Sequence, residues 1–122
     1  MAVRTVAIIS PGEMGCAVGH VLKSNGLDIV ASLSERSDLT KTRAKVAGFE
    51  DASTLEDLLG EADLVLSIVP PAAAVETARE TATAMKATGH RPPYADCNAI
   101  SPDNTRLAGK IITEAGAVFI DG

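Results

Sequence analysis

The chain has 122 residues, a net charge of −5 and a hydrophobic fraction of 46%, of which very little is aromatic. This length suits one compact domain, and the acidic balance excludes a nucleic-acid-binding module that neutralises phosphates with a basic patch. No apolar stretch approaches the roughly 20 residues that cross a bilayer, and no signal peptide precedes the first apolar run, so we predict a cytoplasmic protein that does not contact membranes. Cys16 and Cys97 lack metal-ligand spacing. We expect both to be reduced thiols and expect no metal site.

Short apolar runs alternate with stretches whose apolar residues recur at helical spacing, and Gly, Asn or Pro separates them. The runs are typical of buried parallel strands, and the stretches are typical of helices packed on a sheet. In the first half of the chain the predicted elements are a strand over 3–9, a helix ended by Asn25-Gly26, a strand over 29–33, a helix over 38–47 capped by Ser37 and stopped by Gly48, and a short helix to about Leu59 begun by the capping-box pair Ser53 and Glu56.

The second half continues the same alternation. A strand over 64–69 is followed by a helix that Pro70-Pro71 opens, and a loop over 89–93 leads to a strand over 94–97. Ser101-Pro102 then begins another helix, and a strand over 117–120 follows Gly116. The predicted inward residues are Val75, Ala78, Ala82 and Met85 of the first helix and Leu107, Ala108, Ile111, Ile112 and Ala115 of the second. This order predicts an α/β protein. We expect a doubly wound parallel sheet, the Rossmann fold, with about six strands and helices on both faces, formed by residues 1–122 as one domain.

The turn between the first strand and the first helix carries the strongest local signal. It reads S-P-G-E-M-G, where a dinucleotide-binding fold has G-x-G-x-x-G. Gly12 leaves room for a pyrophosphate and Gly15 lets helix and strand approach, whereas Ser10 replaces the first glycine. A glycine used only for packing is the alternative. We predict that the diphosphate meets backbone N–H groups at the helix start, within Ser10, Pro11, Gly12, Glu13, Met14 and Gly15.

The end of the second strand bears on which coenzyme binds. Ser34 stands where NAD-binding proteins usually have the acidic residue that holds the ribose hydroxyls. Arg36 and Ser37 follow, and a guanidinium with a hydroxyl can hold a 2′-phosphate by charge-assisted hydrogen bonds. We therefore predict NADP. Glu35 turned inward would favour NAD instead, so NAD stays open, as does a solvated loop in which Ser37 only caps the next helix.

Four segments, in the same order, resemble the β-hydroxyacid dehydrogenase superfamily, which includes 6-phosphogluconate and 3-hydroxyisobutyrate dehydrogenases. The segment 10–15 resembles that family's G-x-G-x-M-G turn, and 35–37 resembles the N-R-S/T of its NADP-preferring members. The segment 62–70 resembles its A-D-hydrophobic-run-P strand, and 96–102 resembles its D-x-S-T-x-x-P segment. The likeness covers the whole chain and is greatest to a poorly characterised branch with D-C-N-A-[IV]-S-P.

The resemblance implies roles for residues after the third and fourth predicted strands. Val69, Pro70 and Pro71 would line the ribose and nicotinamide side of the coenzyme. Asn98 would lie near the nicotinamide and the substrate and donate a hydrogen bond to the carboxamide or to a substrate oxygen. Taken alone, Asn98 is as well interpreted as a turn residue that satisfies local backbone groups. Ala99 replaces the family's usual threonine, so the substrate of better-known members cannot be transferred.

The resemblance also implies an NAD(P)-dependent dehydrogenase that moves hydride between nicotinamide and a small hydroxy acid. Its catalytic lysine lies beyond the dinucleotide domain, and no lysine of this chain matches that context. We therefore expect a helical substrate and dimerisation domain after residue 122, a homodimer formed through it, and no turnover by the 122 residues alone.

Two other functions remain open from the sequence. The same fold serves non-catalytic NAD(P)-sensing regulatory modules, which differ from the enzyme in the region that comes after the dinucleotide domain. A methyltransferase that uses S-adenosylmethionine also has a glycine turn, but the segments 34–36 and 70–71 disfavour it.

Overall fold

A computed structural model describes residues 3–9, 13–31, 42, 45–46, 48–52, 54–69, 71–98 and 101–121, and for 13–17 and 71 it describes the backbone alone. Within these ranges, no helix combines the length and the apolar character needed to cross a membrane.

The centre of the molecule is one sheet of six parallel strands. Its strands are β1 (Thr5–Ile9), β2 (Asp28–Ala31), β3 (Glu50–Asp51), β4 (Leu64–Ser67), β5 (Tyr94–Asp96) and β6 (Phe119–Asp121), in the spatial order β3-β2-β1-β4-β5-β6. The connecting helices are α1 (Glu13–Ser24), α2 (Leu55–Glu61), α3 (Ala74–Thr88), which follows a 3-10 turn (Pro71–Ala73), and α4 (Pro102–Glu114). The predicted doubly wound Rossmann fold is confirmed.

Two apolar layers hold the helices on opposite faces of the sheet. One layer combines Val65 and Tyr94 of the sheet with buried residues of α2, α3 and α4. The other combines Ile8 and Ile29 with Val18 of α1. Ala78, Ala82 and Met85 are buried on α3 and Ala108 and Ile112 on α4, as predicted. Leu107 is wrong as an inward residue, because its side chain is exposed on α4.

Two strands are shorter than the predicted apolar runs, because pairing stops before the runs do: β4 ends at Ser67 and β5 at Asp96. The last two residues of the strand predicted over 29–33 lie outside the described residues. The short strand β3 was absent from the predicted elements, since its two residues are exposed acids without an apolar pattern. Thr42, Lys45 and Val46 are helical, and the rest of the helix predicted over 38–47 lies outside the described residues.

The predicted helix caps differ in accuracy. Ser101 begins α4 as expected, with its Oγ accepting from the N–H of Asn104 at 3.2 Å. The cap of α2 was predicted one residue too early: Thr54 is the N-cap, and its Oγ1 accepts from the N–H of Asp57 at 3.1 Å. Gly89 ends α3 with φ +79, a left-handed conformation that favours glycine.

The carboxylate of Asp63, just before β4, ties the starts of two neighbouring strands together. Its Oδ2 accepts from the backbone N–H groups of Arg4 and Thr5, each at 3.0 Å. These two hydrogen bonds, the one from Arg4 first, hold the pKa of Asp63 below its usual value. The sheet is therefore fixed at its amino-terminal edge by a charged group, on the side opposite to the carboxyl ends of the strands.

Candidate cofactor-binding site

The winding of the sheet reverses between β1 and β4. From β1 the chain continues through α1 to β2 on one side, whereas β4, on the other side of β1, continues through α3 to β5. Doubly wound sheets bind ligands in the crevice outside the carboxyl ends of the strands where this reversal occurs. The register pairs Ile9 with Ser67 and Ser67 with Asp96, so the carboxyl ends of β1, β4 and β5 lie side by side.

The amino terminus of α1 lies at this crevice. The helix begins at Glu13, four residues after β1 ends at Ile9. The first N–H groups of an α-helix have no partner within the helix and carry partial positive charge, so they attract an anion. The backbone of Glu13, Met14 and Gly15 is thus where a diphosphate was predicted. The other residues of the predicted turn, Ser10, Pro11 and Gly12, lie outside the described residues.

Gly19 allows α1 to pack closely on the sheet. A Cβ at this position would lie 2.2 Å from Cζ of Phe49 and 2.9 Å from Cδ1 of Ile8, distances that van der Waals contact forbids. A side chain here would therefore push the helix away from the sheet or displace Phe49. Gly19 was not among the predicted residues, although it lies one turn after Gly15 on the same face of the helix.

Asn98 joins the ends of β4 and β5. Its Oδ1 accepts from the backbone N–H of Val69 at 2.8 Å, and its Nδ2 donates to Ser67 Oγ at 3.1 Å. Its own backbone N–H donates to Asp96 Oδ1 at 2.8 Å. The side chain thus satisfies a backbone group, as the turn interpretation requires, and also lies at the ligand-binding edge. A primary amide has two N–H donors, and only one of them has a partner among the described residues.

Ser67 and Asp96 are the residues of this edge that sequence reasoning missed. Both are buried, and together they fix the orientation of Asn98. Their signal was a polar residue ending an otherwise apolar strand, a place where a buried polar group needs a specific partner.

Cys97, between Asp96 and Asn98, is exposed. Although the residue reaches the surface, part of its thiol is buried. This burial, and to a smaller extent the nearby Asp96 carboxylate, raises the pKa of the Cys97 thiol and keeps it in the neutral form.

The described residues bring part of the predicted site together. The start of α1, Val69 and Asn98 all lie at the carboxyl ends of β1, β4 and β5. Pro71 opens the 3-10 turn that leads into α3. The predicted residues Ser34, Arg36, Ser37 and Pro70 lie outside the described residues.

A second concave region does not suit a dinucleotide. An open cavity of about 460 Å³ lies beside α2, with Thr88 and His90 on its other side. Its lining includes four carboxylates, which would repel a diphosphate: Asp51, Glu56, Asp57 and Glu61. In the part of the chain that the structure describes, no three His, Cys, Asp or Glu residues converge as ligands of a metal ion.

Comparison with known proteins identifies the family. Residues 1–96 match the family model of the acetohydroxy acid isomeroreductase, NADPH-binding domain. The chain belongs to this family. A dinucleotide fits the site of this NADPH-binding domain, because the first N–H groups of the 12-residue helix α1, which have no partner within the helix, lie at the reversal of the sheet. The cofactor class is therefore a nicotinamide dinucleotide, as predicted.

Individual proteins similar to the chain include dehydrogenases and proteins described as similar to dehydrogenases. The chain is 34% identical over 85 residues to cyclohexadienyl dehydrogenase of Zymomonas mobilis. The match covers 68% of this chain and 29% of that protein. Among solved structures it is similar to the conserved protein MTH1747, described as similar to 3-hydroxyacid dehydrogenases, with a TM-score of 0.82, 32% identity, and coverage of 96% of this chain and 42% of that one.

The fold is also that of 3-hydroxyisobutyrate dehydrogenase from Mycobacterium tuberculosis, with a TM-score of 0.81 and 19% identity over 97% of this chain and 39% of that chain. The family match and the similarity to MTH1747 confirm the resemblance to the amino-terminal domains of β-hydroxyacid dehydrogenases. The chain spans about a third of the curated relative and under half of these solved chains. It corresponds to the dinucleotide-binding domain of hydroxyacid dehydrogenase-like oxidoreductases.

Proposed function

We propose that the chain binds NADPH across the carboxyl ends of β1, β4 and β5, as the coenzyme domain of an oxidoreductase. The observation that carries this proposal is the position of the α1 amino terminus at the reversal of the sheet in a member of an NADPH-binding family. The diphosphate meets backbone N–H groups in the segment 10–15. The 2′-phosphate meets Arg36 and Ser37, and Ser34 takes the place of the acidic residue that holds the ribose hydroxyls in NAD-binding proteins.

The nicotinamide half of the coenzyme lies over the ends of β4 and β5. Val69, Pro70 and Pro71 form its apolar support. Asn98 donates its remaining Nδ2 hydrogen to the carboxamide or to a substrate oxygen. This direction is supported by the two contacts that the amide makes, because Oδ1 already accepts from Val69, whereas only one of the two Nδ2 hydrogens has a partner among the described residues.

The reaction is hydride transfer between the nicotinamide and a small hydroxy acid-like molecule. When bound, the coenzyme supplies the hydride, and this domain supplies its orientation. The proton donor or acceptor that such a reaction needs is a lysine of a helical region outside these 122 residues, and the same region forms a homodimer in the cytoplasm. The support for this larger enzyme is the length of the relatives, of which the chain covers 29% and 42%.

Calorimetric titration of the 122-residue chain with NADPH and with NADH tests the proposal. We expect NADPH to bind more tightly. Arg36→Ala should weaken NADPH binding roughly ten- to a hundred-fold, because a charged hydrogen bond to phosphate is lost, and should leave NADH binding unchanged. Arg79→Ala removes the same charge from an exposed position of α3 and serves as the control.

Absence of heat with both coenzymes at high micromolar concentration would contradict the proposal. Equal effects of the two arginine variants would contradict the assignment of the 2′-phosphate. Reduction of a small oxo acid by the 122 residues alone would refute the proposal that the catalytic lysine lies elsewhere.

A further inference from the structure

A group of buried polar side chains lies directly behind Asn98. It consists of Ser67, Thr81, Tyr94 and Asp96, none more than 2% exposed, and we call it the Tyr94 cluster. Ser67 and Asp96 are paired in register at the ends of β4 and β5. The buried Thr81 of α3 lies near the Tyr94 hydroxyl. The Tyr94 ring packs parallel to that of Phe119, with 6.2 Å between centroids.

Two atoms of the Tyr94 cluster lack a hydrogen-bond partner in the described part of the chain: the Tyr94 hydroxyl and Asp96 Oδ2. Burial raises the pKa of Tyr94 to about 12, and the Asp96 carboxylate acts in the same direction. The hydroxyls of Ser67 and Thr81 lie close enough to oppose this shift, but neither meets the phenol with hydrogen-bond geometry. Buried polar atoms are almost always paired, so these two require a partner.

The hydrogens and lone pairs of the Tyr94 cluster define that partner. Asp96 Oδ2 can only accept. Thr81 has already donated its hydrogen to the carbonyl of Thr77 at 2.8 Å, so its Oγ1 can only accept as well. The hydroxyls of Tyr94 and Ser67 each retain a hydrogen to donate. A partner that donates twice and accepts twice satisfies all four groups.

We propose that the Tyr94 cluster binds one internal water molecule. The water donates to Asp96 Oδ2 and to Thr81 Oγ1, and it accepts the hydrogens of the two remaining hydroxyls. Buried waters commonly make about three such bonds to otherwise unpaired polar groups. An ammonium ion does not fit, because it has no lone pair for the hydroxyl hydrogens.

The water has a consequence for the coenzyme site. When Ser67 donates to the water, its oxygen presents lone pairs to Asn98 and accepts from Nδ2, as observed at 3.1 Å. The Asn98 oxygen then points to the N–H of Val69. The water therefore selects the orientation of the Asn98 amide. The water site itself does not depend on the proposed coenzyme, so the two can be tested separately.

A high-resolution crystal structure of the 122-residue chain tests the site directly. We expect a density peak within hydrogen-bonding distance of both Asp96 Oδ2 and the Tyr94 oxygen. The proposal is overturned if Oδ2 instead accepts from a backbone N–H or from Tyr94 itself with no peak between them. A peak whose height grows when sodium is exchanged for rubidium would assign a cation and would also overturn it.

Variants give a second test in solution. Tyr94→Phe keeps the ring on Phe119 and removes the hydroxyl. If a water is bound, the unfolding equilibrium constant should rise roughly three- to ten-fold, because a buried bond is lost. Thr81→Val should have a similar effect. Thr83→Val on the same helix is the matched control, because its hydroxyl donates to the Arg79 carbonyl in the same way but is exposed.

An unchanged or higher stability of Tyr94→Phe would refute the bound water. If the Tyr94 hydroxyl is simply unpaired, its removal leaves the protein equally stable or more stable, because the cost of burying it disappears. Equal behaviour of Thr81→Val and Thr83→Val in urea unfolding would likewise refute it. If Tyr94→Phe does not fold, the threonine pair and the crystal structure still decide the matter.

Discussion

Replacing Asn98 by alanine should loosen the carboxyl ends of β4 and β5. The change removes the hydrogen bonds to Val69 and Ser67, at 2.8 and 3.1 Å, and leaves the partly buried Val69 N–H without its acceptor. With a net contribution of about 1 kcal/mol for each bond and a similar cost for the unpaired donor, we expect the free energy of unfolding to fall by roughly 2–3 kcal/mol. NADPH binding should weaken as well.

Urea unfolding and calorimetry measure the two effects on the same samples. Asn98→Asp keeps an oxygen that accepts from the Val69 N–H and loses only the hydrogen bond to Ser67, so it should lose less stability than Asn98→Ala. Its negative charge should nevertheless weaken NADPH binding. Asn104→Ala, at an exposed position of α4, is the control. Ordinary surface substitutions change the free energy of unfolding by up to about 0.5 kcal/mol. If the free energies of unfolding of Asn98→Ala and Asn104→Ala differ by no more than that, the hydrogen bonds of Asn98 contribute less stability than proposed.

Three further predictions concern stability. Gly19→Ala should destabilise by roughly 1–2 kcal/mol through overlap with Phe49, whereas Gly60→Ala, with no contact shorter than 3.4 Å, should be neutral or stabilising in urea unfolding; equal effects would contradict the close packing of α1. Asp63 has a pKa below that of the unfolded chain, so its contribution is present above about pH 4 and is lost at lower pH as the carboxylate protonates. The stability difference between wild type and Asp63→Asn should therefore shrink in acid, and a difference independent of pH would exclude this origin. Ser101→Ala should cost about 1 kcal/mol at the start of α4, measured by thermal unfolding, and no change in melting temperature would refute the capping role.

The fold could be predicted from the sequence because its signals are local and repeated. Each apolar run that predicted a strand after the first helix is bounded by a glycine or proline, and the helices show apolar faces at the expected spacing. The strand β3 escaped prediction, because Glu50 and Asp51 carry no apolar pattern, and strand β2 pairs with them through the backbone. Leu107 was assigned inward from spacing alone, whereas the neighbouring Ala108 and Ile112 already fill the contact.

The site was predictable only in part. The glycine turn and Asn98 follow from where helices and strands join, since ligands bind at the carboxyl ends of a doubly wound sheet. The partners of Asn98 depend on strand register, which pairs Ser67 with Asp96 across 29 positions of sequence. No local pattern shows such a pairing. The Tyr94 cluster could not be predicted either, because its members come from two strands and from a separate helix that contributes Thr81.

The central claim is that NADPH binds with its diphosphate at the amino terminus of α1. A crystal structure of the 122-residue chain with NADPH measures this most directly. We expect diphosphate oxygens within hydrogen-bonding distance of backbone N–H groups in the segment 10–15, with the nicotinamide beside Asn98. A coenzyme bound in the acidic cavity beside α2, or at the edge of the sheet where Asp63 lies, would contradict it.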